Sequence, residues 1–205
     1  MAVTHFPRKN LPAQLHVGIV YQGRGKGKLN LLHLAAHYDL RCAPIKNRYK
    51  CVPSDYFDSD ELDFFAETAA RVWEKNEHEG IPYGFRYTGA SEFNGDLSFA
   101  NKAGAGLTCA TFIMAFFSSR GYDIIDVSGW KNRTDDTEWQ KWVYEEIEHL
   151  LSEEEATSMR DSIGQAFRYR PEEVVGSYAG FEGVPLGFSD AVVMGENFLL
   201  DYGPR

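Results

Sequence analysis

Apolar and polar residues alternate most sharply around "QLHVGIVYQ" (Gln14–Gln22) and "KLNLLHLAAH" (Lys28–His37), which flank the glycine-rich "GRGKG". Two such runs around glycines predict a β-hairpin. The residues ahead of it read as an opening tail. Cys42–Asp55, broken by Pro44 and Pro53, reads as loop or short strand. The period then becomes helical: Leu62, Phe65, Ala69, Val72 and Trp73 predict a helix from Ser59 to about His78, with an Asp58–Glu61 capping box and a stop at Gly80 and Pro82. Tyr83–Gly106 is polar, irregular and rich in glycine, with a short strand expected at Phe85–Tyr87. Because it leads straight into the next helix, it is a candidate lid. That helix starts at Cys109 and closes at Gly121, and "YDIIDVS" follows as an expected strand. Beyond Gly129, "TDDTEWQKWVYEEIEHLLS" and "SEEEATSMRDSIGQAFRY" predict two amphipathic helices, the second opened by a Ser152–Glu155 capping box. "RPEEVVGSYAG" predicts a shorter helix with Pro171 in its first turn. The glycine-rich apolar end reads as a covering strand or tail. Together these elements predict a single α+β domain over 1–205, with 129–180 as a helical extension.

Composition narrows the function classes. A chain of 205 residues with 14% aromatic side chains can fill one substantial core. Its net charge of -9 disfavours nucleic acid and anionic membrane surfaces, which reward clustered positive charge. "MAVTHFPRKN" has no apolar signal core, and no later run reaches the length of a membrane span, so no stable membrane insertion is expected. Three cysteines, Cys42, Cys51 and Cys109, are too few and too odd for a disulfide framework. A reducing, cytoplasmic setting is the expectation, although secretion without a cleaved signal would leave no trace in the sequence.

The chemistry centres on "GAGLTCATFIMAFFSS". A helix start offers unpaired backbone N–H groups that favour a thiolate and can hold an oxyanion, so Cys109 is a candidate nucleophile. It needs a base, and the base needs an orienting partner. With the hairpin turning near Gly25, His16 and His33 fall almost opposite each other, and one bulge residue would set them on the same face. Three other patterns carry simpler readings. "GRGKGK" lacks the Gly–Lys–Ser/Thr of a phosphate loop and reads as a hairpin tip, with Arg24, Lys26 and Lys28 solvated. His33, His37, Cys42 and Cys51 are zinc-ligand types without a Cys–x–x–Cys anchor, so no metal or other cofactor is expected. Glu145–Glu155 reads as an exposed acidic face.

"LHVGIVYQ", "LLHLAAH" and "LTCATFIMAFFSSRGYDII" together resemble the circularly permuted NlpC/P60 superfamily of papain-like enzymes, which includes lecithin:retinol acyltransferase-like proteins. Leu15–His37 and Gly104–Ile125 carry the resemblance, about a fifth of the chain. It implies an antiparallel sheet packed on the nucleophile helix. By that pattern Cys109 is the nucleophile, His16 the base and His33 the residue fixing the imidazole tautomer. The flanks of Cys109 match neither the Asn–Cys–Glu–His signature of the acyltransferases nor Asp–Cys–Ser, and "QGRGKGK" is long for the family. The implied activity is thiol-dependent hydrolysis of an amide bond in a peptide- or peptidoglycan-type substrate through an acyl-enzyme. Two alternatives follow. One is acyl transfer or deacylation on a lipid ester or thioester. The other is a non-catalytic binding protein on a papain-like scaffold, with a protein partner on Thr134–Gly180.

Overall fold

The computed structural model describes residues 1–6, 14–23, 27–89, 92–100 and 104–202. Strands β1 (Ala2–Phe6), β2 (Gln14–Gln22), β3 (Leu29–Ala36), β4 (Asp39–Pro44) and β5 (Lys50–Cys51) form one antiparallel sheet in the order β4-β3-β2-β1-β5. The expected hairpin is β2–β3. Its tip residues Arg24 and Lys26 lie outside the described residues, and Lys28 is exposed. The opening segment is a strand and not a tail: β1 pairs with β2 along its length, and Ala2 and Val3 also pair with β5. Cys42 to Asp55 likewise contributes the end of β4 and all of β5.

Alternation gives the sheet two distinct faces. Leu15, Val17, Ile19 and Tyr21 of β2 and Leu32 and Leu34 of β3 enter the main core with helices α1 (Ser59–Asn76) and α2 (Cys109–Ser118). His16, Gly18 and Val20 alternate to the reverse face, where Val20 joins a smaller cluster of Ala2, Leu31 and Tyr49.

Helix α1 opens with the expected Asp58–Glu61 box and ends at Asn76, whose side chain is buried. Asn76 donates from Nδ2 to the Leu97 carbonyl at 2.9 Å and accepts the Phe99 N–H at 2.7 Å. These bonds pin the segment expected to be a lid. Phe93, Leu97 and Phe99 are core residues, so the described part of 83–106 is packed and not a free flap; 90–91 and 101–103 lie outside the described residues. Phe85–Tyr87 forms no strand. "YDIIDVS" makes only an isolated parallel bridge, Ile125 to Leu186.

The later helices are α3 (Asp136–Ile147), extended by a 3-10 turn at Glu148–Leu150, then α4 (Glu153–Ser162) and α5 (Pro171–Ala179). Trp139, Val143 and Met159 of α3 and α4 gather around Phe85 in a second core. Helix α5 instead sends Val174, Val175 and Tyr178 into the main core. The chain end, expected as strand or tail, is helix α6 (Phe188–Tyr202). Its glycine is a packing device: Gly195 and Gly176 let α5 and α6 approach so closely that a Cβ on Gly176 would sit 2.4 Å from the Met194 carbonyl oxygen. Glycine inside a helix costs about 0.5–1 kcal/mol, and burial of Ala191 and Phe198 offsets it.

Candidate active site

Thr108 caps α2. Its hydroxyl accepts the Thr111 N–H, and Thr111 Oγ1 accepts the Thr108 N–H at 2.8 Å. Cys109 is therefore the first helical residue, where backbone N–H groups lack helical partners. Its thiol faces the N–H groups of Val17, Ala110 and Cys109 itself, all of which favour the thiolate. Burial outweighs them and pushes the thiol up to about 11. Helix position alone predicts an acidic thiol; the enclosed site makes a protonated one.

The two histidines do meet. His16 Nε2 lies 2.6 Å from His33 Nδ1, with the rings edge-to-face at 4.8 Å between centroids. No bulge is needed. β2 and β3 pair Ile19 with Leu32, and one further step in that register sets Gly18 opposite His33. His16 and His33 are then diagonal neighbours on one face, the reverse of the face that holds the core. The absence of a side chain at Gly18 makes the contact geometrically possible, because a Cβ there would lie 2.9 Å from His33 Cβ and 2.7 Å from Leu31 Cδ1. The sequence contains this signal as the glycine two positions after His16, but its role is visible only across the strand pair.

Burial is the main cause holding both imidazoles neutral. It lowers His16 to about 3, with further depression from the charges of His33, Arg48 and Arg41. His33 falls to about 4 through burial and then Arg41, with Asp39 opposing. Arg41 is the β4 partner of His33, and its guanidinium is held by Asp39.

The third member is only partly assembled with the other two. The ladder between β2 and β3 ends at Ile19–Leu32, and Cys109 Sγ meets the Val17 N–H beyond that end, one residue from His16. Among the described residues no hydrogen bond joins Cys109 to either imidazole. The zinc-type residues are engaged separately: Cys42 with the Tyr21 hydroxyl at 3.2 Å, His37 with the Tyr83 N–H at 3.1 Å, and Cys51 exposed. Among the described residues no three His, Cys, Asp or Glu side chains converge as metal ligands, and no helix is long and apolar enough to cross a membrane.

The chain matches no known family model, no curated protein and no solved structure.

Proposed function

We propose that the protein is a thiol-dependent hydrolase of papain-like, permuted NlpC/P60 type, cleaving an amide bond through Cys109, His16 and His33. The observation that carries this reading is the 2.6 Å contact between His16 Nε2 and His33 Nδ1, one residue along β2 from Val17, whose N–H the Cys109 thiol faces. When His16 Nε2–H donates to His33 Nδ1, the tautomer is fixed and His16 Nδ1 becomes the basic nitrogen. Cys109 loses its proton to that nitrogen as sulfur attacks the carbonyl carbon. The Cys109 N–H at the helix start stabilises the oxyanion. His16 returns the proton to the leaving amine, and water then releases the acyl group from sulfur. In this structure the thiol faces the Val17 N–H instead, so the transfer needs Cys109 and His16 to approach each other when substrate binds. The amide preference comes from the family resemblance.

A thiol at about 11 beside imidazoles at about 3 and 4 gives a neutral resting pair and no thiolate–imidazolium ion pair. Cleavage of a peptide amide should therefore hold a broad plateau from about pH 5 to 9. Cys109→Ala should abolish it, and His16→Ala should lower kcat/KM by about 10²–10⁴-fold. Turnover that survives Cys109→Ala would refute the reading. Turnover of phospholipid ester or thioester alone would move the assignment to deacylation.

A further inference from the structure

Away from the thiol and the histidines, a cavity of about 420 Å³ is walled by three stretches of loop: 86–88, 127–128, and 165–167 with Tyr169. That volume falls in the range of small-molecule sites. Each stretch is fixed from behind. Gln140, buried on α3, donates to the Ala166 carbonyl at 2.8 Å and accepts the Gly164 N–H at 2.7 Å. Trp130 Nε1 donates to the Arg168 carbonyl at 3.0 Å, and its ring packs on Tyr169 at 4.6 Å between centroids. At Gly89, in the left-handed region at φ 74, a Cβ would lie 2.8 Å from Val127 Cγ2, so the first stretch is held against the second. The cavity is preformed.

Its wall combines rings with a single cation. Tyr87 and Tyr169 stand edge-to-face at 5.8 Å between centroids. The Tyr87 hydroxyl is hydrogen-bonded to Ser118, and the Tyr169 hydroxyl is sealed from solvent. What the pair offers a ligand is therefore ring surface, and the exposed Phe167 adds a third ring. Arg86 is the one charged residue on the described wall. Its Nε donates to Ser162 Oγ at 2.8 Å, which steadies the side chain. Glu153, Glu154 and Asp161 share a neighbouring hollow with Arg86, but among the described residues no carboxylate forms an ion pair with it. Asp126 is engaged by the Ser128 N–H at 2.8 Å, and Arg168 turns to Trp139, Asp135 and Asp136. The terminal NH₂ groups of Arg86 are left for an anion, and a guanidinium fork matches a carboxylate.

We propose that this cavity binds a small planar aromatic molecule bearing a carboxylate, with its ring against Tyr87 and Tyr169 and its carboxylate on Arg86. The site is distinct from that of the thiol. Ser118, the partner of Tyr87, ends α2 and Cys109 begins it, which separates them by about 14 Å along the helix axis. Binding here does not require the hydrolase reading to hold.

Calorimetric titration with naphthalene carboxylate tests it. The wild type should bind with a Kd of about 1 mM or below, the range open to a ligand of this size. The neutral carboxamide, of the same shape, should bind about tenfold more weakly, and Arg86→Gln should erase that difference. Acetate, which has the charge without the ring, should also bind at least about tenfold more weakly than the naphthalene carboxylate. Ser128→Trp, which fills the cavity from an exposed turn, should remove binding, whereas Cys109→Ala should bind as the wild type does. No saturation by about 10 mM, equal affinity of the wild type for carboxylate and carboxamide, or unchanged binding in Ser128→Trp would each overturn the site. Ser162 keeps its own bond to the Ser158 carbonyl at 2.7 Å, so Arg86→Gln strands no hydroxyl. The carboxylate–carboxamide comparison needs no variant at all, so a substitution that perturbs folding leaves it decisive.

Discussion

At Gly18 the space of a side chain is filled by Leu31 and His33, and the Leu32 carbonyl oxygen lies 2.9 Å from where a Cβ would be. Even a methyl group must push β3 away or rotate His33. Gly18→Ala should therefore destabilise the protein by about 1–3 kcal/mol in urea titrations. It should also abolish the downfield proton signal of the His16–His33 hydrogen bond. An unchanged midpoint with that signal intact would show that the contact does not depend on this close approach. The same residue scale explains why Cys109 departs from the expectation set by its helix position. Three N–H groups pull its pKa down, but the thiol is enclosed by core side chains, and desolvation is the larger effect.

Between elements, the start of α3 is tied to the start of α5 by charges that the hydrophobic pattern does not reveal. Arg133 bonds the buried Glu173, whose other oxygen accepts the Arg170 N–H at 3.0 Å. Arg168 and Arg170 meet Asp135 and the buried Asp136. Burial raises the Glu173 pKa even against the pull of Arg133. Arg133→Met would strand that carboxylate at a cost of about 3–5 kcal/mol. The loss should be smaller at pH 5 than at pH 8, because protonation removes the stranded charge. Equal losses at both pH values in chemical denaturation would contradict this account. A second link joins the β3–β4 turn to α4. Tyr38, in the left-handed region at φ 54, donates its hydroxyl to Glu155 at 2.8 Å, while the neighbouring His37 accepts the Tyr83 N–H. The Leu107 N–H in turn bonds the Pro82 carbonyl at 2.9 Å, so this link reaches the approach to Cys109.

For the whole molecule, the buried histidines set the acid limit. His16, His33 and His37 all have lowered pKa values, with burial the first cause for each. The unfolded chain takes up these protons at about pH 6.5 while the folded one does not. Their contribution is therefore complete above about 6.5 and is lost as pH falls toward 4. For His16 and His33 together this should amount to about 6 kcal/mol between pH 7 and pH 4, seen as a falling urea midpoint. His16→Gln/His33→Gln should flatten that slope; a wild-type midpoint independent of pH over this range would rule the linkage out.

The sequence by itself determined the elements whose signals are local. The β2–β3 hairpin, the capped starts of α1 and α4, the helix from Cys109, and α3 and α5 all follow from periodicity and capping within a few residues. It also singled out His16, His33 and Cys109. Only the tertiary structure made β1 a strand, because a five-residue segment becomes one through partners on both sides. It likewise made the glycine-bearing end a helix, because Gly195 faces Gly176's helix where closeness is worth more than propensity. Tertiary structure also decided the charge states of the site. The side-chain types are written in the chain, but whether a thiol or an imidazole ionises depends on how much water the fold leaves around it.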